Sequence, residues 1–377
     1  MFVSPGLRSF RLPNRSFYCM CVFMVFTILS GLLIEYLLIQ TNYISADISH
    51  SSKIISGNYS LFSKRLFFSG SQNNFNNQYS SNGQHYDPSS ATTNQFTYKS
   101  VVAYQPKDRD DVIYQKLKDS IMSPTGEDNF FIQANSVSDL YAGVADGVGG
   151  WAEHGFDSSA ISRELCKTMA QISSTLNPTK IQLTPKQIID EAYNKIKKEK
   201  IVQVGGTTAV ATHFNMNGTL TVANLGDSWC GVFRKEKLTY QTKFQTVGFN
   251  APYQLAIIPD AMLKEAAARG GSYIQNVPSD ADEYSFQLQK DDIIIIATDG
   301  VTDNIATDDM ELFLKDKKQE THTDLQQVAN EFVTDVVKLS RDPNFPSVFA
   351  QEISKLYGKE YRGGKEDDIT VVMVKVE

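Results

Sequence analysis

Cysteine is almost missing from these 377 residues: Cys19, Cys21, Cys166 and Cys230 are the whole set. Their spacing offers neither a zinc pair nor a disulfide framework, so a reducing compartment or simply buried thiols are expected. No cysteine is followed six positions on by an arginine, which excludes a thiolate loop for phosphoryl chemistry. No basic stripe is present either. The net charge is −7 and the pI near 5.4, so nucleic acid is not an expected partner. What the chain does have is a normal globular balance, 41% apolar and 21% charged, enough for one large domain with appendages.

Acids are also absent from residues 1–17, which carry Arg8, Arg11, Arg15 and several serines. This reads as a targeting-like lead. Residues 18–39, YCMCVFMVFTILSGLLIEYLLI, follow with one charge, Glu35. About 20 apolar residues suffice for a helix to cross a bilayer, and a core helix would show polar positions on one face. A transmembrane helix over 18–39 is therefore expected. Residues 40–99 end in a Ser-, Asn- and Gln-rich stretch that cannot bury enough apolar surface to offset its ordering entropy, and they read as a disordered tether. The folded domain is expected over 100–377.

Within it, strands and helices fall in runs. NFFIQ (129–133) and LYAGVA (140–145) predict a hairpin pair. Ile161, Leu165, Met169, Ile172 and Leu176 form a helical stripe over 158–176. Thr184, Pro185 and Gln187 predict a capped helix start, with Ile189, Ala192, Tyr193 and Ile196 on its buried face. TTAVATHF, GTLTVAN and WCGVFR read as short strands, with NMNG (215–218) as a hairpin turn. IIIIA (293–297) and ITVVMVKV (369–376) read as buried strands, and helices fit 308–318, 324–340 and 347–357. The order predicts an α+β fold: two mainly antiparallel sheets sandwiched between helix layers, αββα.

The acids then form a pattern. LYAGVADGVGG ends an apolar run on Asp146 and drops into glycines. Asp227 follows the strand in LTVANLGDSW, Asp299 and Asp303 follow IIIIAT, Asp367 and Asp368 precede ITVVMV, and Glu127 and Asp128 precede NFFI. Any one of these is ordinarily a turn former or cap, since Asp-Gly is a common turn dipeptide. Asp308 and Asp309 read as caps of the following helix. Several acids at strand ends would repel each other unless a cation neutralised them, and all-oxygen ligands select Mg²⁺ or Mn²⁺. Two such ions can lower the pKa of a bridging water and make it a nucleophile for phosphoryl transfer.

The blocks GEDNFFI, VADGVGG, GGTTAV, ANLGDSW, ATDGVTD and EDDITVV occur in the order and spacing of the metal-dependent type 2C Ser/Thr protein phosphatases. The resemblance covers nearly all of residues 100–377, and the VADGVGGW variant resembles the mitochondrial branch of that family. It implies that Asp146 bridges two metal ions, with the Gly147 carbonyl on one of them and Asp299 and Asp367 on the other. It implies that Glu127 contacts the Gly147-bound ion, directly or through water. Asp227 and Asp303 match the acids of a weaker third site. Thr207 and Thr208 are expected to shape the strand start. The chain departs from the family twice. Val148 stands where a histidine, a candidate general acid, is usual, and Ser123 where a phosphate-binding arginine is usual. His154, a candidate general acid, and Arg163 are the nearest ionisable candidates in sequence for these two roles. A surface-loop histidine and a solvated helix arginine are the ordinary readings of that pair.

The expected function is thus a Mg²⁺/Mn²⁺-dependent phosphoprotein phosphatase acting on mitochondrial metabolic enzymes and anchored in a membrane, the mitochondrial one being favoured. An endoplasmic-reticulum or nuclear-envelope anchor is the alternative location. A non-catalytic phosphoprotein-binding module and a small-metabolite phosphatase are the alternative activities. Nothing in the sequence fixes the oligomeric state.

Overall fold

In a computed structural model, the residues described are 95–108, 123–176, 183–319 and 324–377. The expected segments 1–17 and 18–39, and the tether up to residue 94, lie outside them. Among the described residues, no helix is long and apolar enough to cross a membrane.

The strands are β1 (Tyr98–Gln105), β2 (Asp128–Ser136), β3 (Asp139–Asp146), β4 (Gly205–Thr207), β5 (Ala209–Phe214), β6 (Thr219–Leu225), β7 (Trp229–Arg234) and β8 (Lys237–Gln241). They continue with the short β9 (Thr246–Gly248), β10 (Ala251–Pro252) and β11 (Leu255–Ile257), then β12 (Asp282–Gln287), β13 (Ile293–Ala297) and β14 (Ile369–Val376). The α-helices are α1 (Gly150–Glu153), α2 (Ser159–Ser174), α3 (Pro185–Lys198), α4 (Asp260–Ala268), α5 (Asp299–Thr302), α6 (Thr307–Gln319), α7 (Leu325–Ser340) and α8 (Val348–Tyr357).

Two five-stranded sheets, ordered β1-β14-β13-β7-β8 and β12-β6-β5-β3-β2, face one another. Every pairing in both is antiparallel. Alternation explains the stacking. Leu140, Ala142 and Val144 of β3 point into the inter-sheet layer with Ile294, Ile296, Val372 and Val374. Tyr141 and Ala145 point the other way, onto Ile161, Leu165, Met169 and Ile189 of α2 and α3. On the far side, Ile295, Val371 and Met373 pack against Phe313, Phe332 and Val336 of α6 and α7. The result is the αββα sandwich that the sequence predicts.

Local signals act as expected. Thr184 and Gln187 close a reciprocal capping box on α3. Asn215–Gly218 turns β5 into β6, with Gly218 at φ 77°. Asp309 accepts from the Ala306 amide at the start of α6. The chain joins the fold before residue 100. Tyr98 and Lys99 already pair with Val376 and Lys375 of β14, and the Thr97 amide donates to the Glu377 carbonyl. Cys166 and Cys230 are free and buried, and burial pushes both thiols up.

Candidate functional site

All the strand-end acids fall at one edge of the sandwich. Antiparallel pairing dictates this. Asp128, the first residue of β2, stands opposite Asp146, the last of β3. Ala297 at the end of β13 pairs with Val371 near the start of β14, so Asp299 and Asp367 arrive together. Asp227 closes the β6–β7 connection, and Asp303 ends the single turn of α5. Asp227, Asp299 and Asp303 line one small cleft of about 70 Å³ with Phe249, Asn250 and Phe349.

The main chain around Asp146 is fixed on both sides. The Thr208 amide (2.9 Å) and the Thr207 hydroxyl (2.9 Å) donate to the Asp146 carbonyl. The Asp146 amide donates to Thr208 Oγ1 at 3.0 Å. The two threonines, expected to shape the start of their own strand, thereby also fix the end of β3 at Asp146. The Gly147 amide donates to the Glu127 carbonyl at 3.1 Å, joining the two loops that carry these residues. Ser158 donates to the Glu127 carboxylate, and Ser162 to its carbonyl.

Asp368 is a brace rather than a cleft residue. It is 2% exposed and accepts amide hydrogens from Glu127 and Lys107, each at 2.8 Å. Gly126 passes so close, at φ 80°, that a Cβ there would stand 2.2 Å from Asp368 Oδ1. The sequence EDD thus divides its labour: Asp367 faces the acids and Asp368 holds the loop. Thr298 performs a similar service, donating to Asp128 Oδ2 at 2.7 Å while accepting from the Thr370 amide.

The electrostatics match crowding. Burial, then Asp299, Asp128, Asp367 and Asp227, raise the Asp146 carboxyl well above its ordinary range. Burial, then Asp368, do the same to Asp128. Burial, with Asp299 and Asp303, pushes Asp227 up to about 8. Burial, with Asp299, pushes Asp303 up to about 7. Asp367 is instead lowered: burial pulls it up, but Lys107 and Lys365 outweigh that.

Those two lysines are what sequence reasoning missed. Lys107 Nζ lies 2.8 Å from Glu127 and 2.9 Å from Asp367. Lys365 Nζ lies 2.9 Å from Asp299 and 3.4 Å from Asp367, and also bonds Asp303. The tell-tale signal was the lysine after the glycine pair in GGKEDD, one position ahead of the acids. Lys107 carries no such signal, because its role depends on β1 lying beside β14.

His154 and Arg163 are not brought to the acids. His154 is exposed at the end of α1, its ring 6.2 Å from that of Trp151. Arg163 pairs with Asp157 and Glu164 on the surface of α2. Val148 packs with the Trp151 and Val204 cluster and bears no proton to give.

The acids fit a divalent ion by their chemistry. They are oxygen donors only, they press one another's pKa upward, and Asp128 Oδ1 and Asp227 Oδ1 are buried without a hydrogen-bond partner. Among the described residues, no three of them already stand in ligand geometry. Ammonium groups lie between them and bear the neutralising charge. A larger cavity of about 500 Å³, near Phe233, Leu314 and Val328, sits at the opposite end of β13 and is a different place.

Known proteins share the family and the fold. The family model described as "Stage II sporulation protein E (SpoIIE)" matches residues 137–377. A relative from Saccharomyces cerevisiae, "Protein phosphatase 2C homolog 7, mitochondrial", is 67% identical over 321 residues, 84% of this chain and 92% of that protein. The human "Protein phosphatase PTC7 homolog" is 34% identical over 249 residues, 66% of this chain and 78% of that protein. The fold is shared with the X-ray structure of the photosystem II phosphatase PBCP, at a TM-score of 0.59 and 23% identity, covering 74% of this chain and 99% of that one. The chain belongs to the type 2C protein phosphatases, the metal-dependent Ser/Thr phosphatases.

Proposed function

We propose that this phosphatase removes phosphate from phosphoserine and phosphothreonine of mitochondrial metabolic enzymes. In this reading, two Mg²⁺ or Mn²⁺ ions are held by Asp146, the Gly147 carbonyl, Glu127, Asp299 and Asp367. The observation that carries the reading is Asp146 itself: a strand-end carboxylate, fixed by Thr207 and Thr208, on which Asp299, Asp128, Asp367 and Asp227 all press. When bound, the ions supply charge neutralisation and activate water for attack on phosphorus.

The chain's own residues supply position. Asp368 and Ser158 hold the Glu127 loop, Thr298 holds Asp128 against β14, and Phe249 and Phe349 wall the cleft. The departing serine or threonine oxygen needs a proton that Val148 cannot give. Lys107 and Lys365 bear protons beside the acids.

The name of the yeast relative supports the mitochondrion as the place of action. The proposal keeps residues 18–39 as a membrane anchor on their apolar length alone. Resistance of the full chain to carbonate extraction, lost when 18–39 are deleted, supports an anchor; release of the full chain counts against it.

The test of the site pairs calorimetric Mn²⁺ binding with hydrolysis of a phosphoserine peptide. Both are expected to fail in Asp146→Asn while the fold persists. Retention of both removes Asp146 from the centre.

A further inference from the structure

We infer that the Lys365 ammonium is a built-in replacement for a third metal ion, so that this chain holds two ions at its acids and not three. The inference rests on the two-ion reading above and concerns the neighbouring acids, Asp227 and Asp303.

The lysine is delivered there by its main chain. Asn304, 1% exposed, reads the Lys365 peptide on both sides: the Lys365 amide donates to Asn304 Oδ1 and Asn304 Nδ2 donates to the Lys365 carbonyl, each at 2.8 Å. Asn304 Nδ2 also donates to the Gly300 carbonyl at 2.9 Å, which ties the same amide to α5, the turn that carries Asp299 and Asp303. The preceding Gly364 admits no side chain, because a Cβ would stand 2.3 Å from the Leu339 carbonyl oxygen. The backbone thus has one path, and it ends with the ammonium among the acids.

Its contacts are those of a cation in a ligand shell. Nζ bonds the carboxylates of Asp303 and Asp299 and the Asn250 side-chain oxygen at 3.1 Å, with Asp367 3.4 Å away. The ring of Phe349 covers it, with Nζ 5.4 Å from the ring centre. Asp227, just beyond, feels Lys365 as its opposing positive charge. Four oxygen-bearing groups and an aromatic roof around one ammonium are more than an ion pair needs. Of these, Asp303 and the Asn250 oxygen are what a third hard cation between Asp303 and Asp227 would use. A divalent ion there would have to displace Nζ or share its space, and like charges at that separation repel strongly. Asn250 lies in the turn between β9 and β10, so the same ammonium also fastens that hairpin over the cleft.

Lys365 is therefore a positioning residue, and its test counts ions. Native mass spectrometry and elemental analysis of the folded chain under saturating Mn²⁺ are expected to give two ions per chain. Lys365→Met, of similar length without charge, is expected to bind a third, with that step at least tenfold tighter than any third step in the parent. Asp303→Asn in the parent is expected to leave the count at two. Thermal melts of each variant report the fold. A parent count of three, or Lys365→Met staying at two while folded, overturns the inference and leaves the two-ion reading standing. A drop in count caused by Asp303→Asn overturns it too, and this arm needs no Lys365 variant to fold. A parent count below two instead removes the two-ion reading, and this inference with it.

Discussion

Asp128 and Asp146 stand opposite each other across the β2–β3 ladder, two carboxylates at adjacent strand ends. Burial and neighbouring acids raise both. A folded protein tolerates such a pair when its function requires it, because each apolar residue of β3 could otherwise have been succeeded by an ordinary turn.

Asp146→Asn keeps the shape of the side chain and removes the charge. We expect hydrolysis of a phosphopeptide to fall roughly thousandfold or more, a loss of about 4 kcal/mol of transition-state stabilisation. The metal-free melting temperature should hold or rise, since a repulsive charge has gone. Parent-like turnover would refute the central role of Asp146.

Asp368 should behave in the opposite way to its neighbour. Asp368→Ala removes the carboxylate that accepts from the buried Glu127 amide and the part-buried Lys107 amide. Each orphaned donor costs about 1–3 kcal/mol, so the loss of stability should be a few kcal/mol. Urea unfolding measures this. A stability change under about 0.5 kcal/mol, typical of an uninvolved surface site, would show that the brace is unimportant.

The sandwich and the acids were legible in the sequence because both arise from buried strands. IIIIA and ITVVMVKV are apolar on both faces, and the residues flanking such a strand must emerge at a sheet edge. The strands that sequence reasoning passed over are the outer ones. β1, β8 and β12 sit at sheet margins, carry polar residues and are only partly covered. Their pattern is weak because one side of each faces water. The same blindness hid Lys107, which reaches the acids only because β1 adds to β14. The short β9, β10 and α4 between residues 246 and 268 bury little and gave no periodicity to read.

β1 begins at Tyr98, ahead of residue 100. A chain beginning at residue 95 keeps Tyr98–Ser100 on β14, the Tyr98 hydroxyl on the Asn215 carbonyl and Phe96 against Gly218. One beginning at residue 101 loses all three. The longer form should be soluble and active, and the shorter one should melt several degrees lower. Equal melting temperatures would show that residues 95–100 contribute nothing.

The last expectation concerns pH, and its sign can be worked from the acids. Asp227 and Asp303 titrate in the metal-free fold at about 8 and about 7, both far above an unfolded aspartate near 3.9. A raised carboxyl contributes stability that is fully present below the unfolded value and is lost as pH rises through the folded one. Asp146 and Asp128 are shifted the same way. Asp367 is shifted down, so its contribution is lost only as pH falls below the ordinary carboxylate range, outside the window of interest. Lys365 is raised above its ordinary value and stays charged throughout. Between pH 5 and 8 the raised acids therefore dominate. The melting temperature of the chelated protein should fall steadily across that range. Saturating Mn²⁺ should offset most of the fall, because an ion that binds the ionised acids stabilises the fold more as they deprotonate. Scanning calorimetry with and without Mn²⁺ at several pH values reads both slopes. A metal-free melting temperature that rises toward pH 8 would mean that the acids do not crowd one another as this geometry requires.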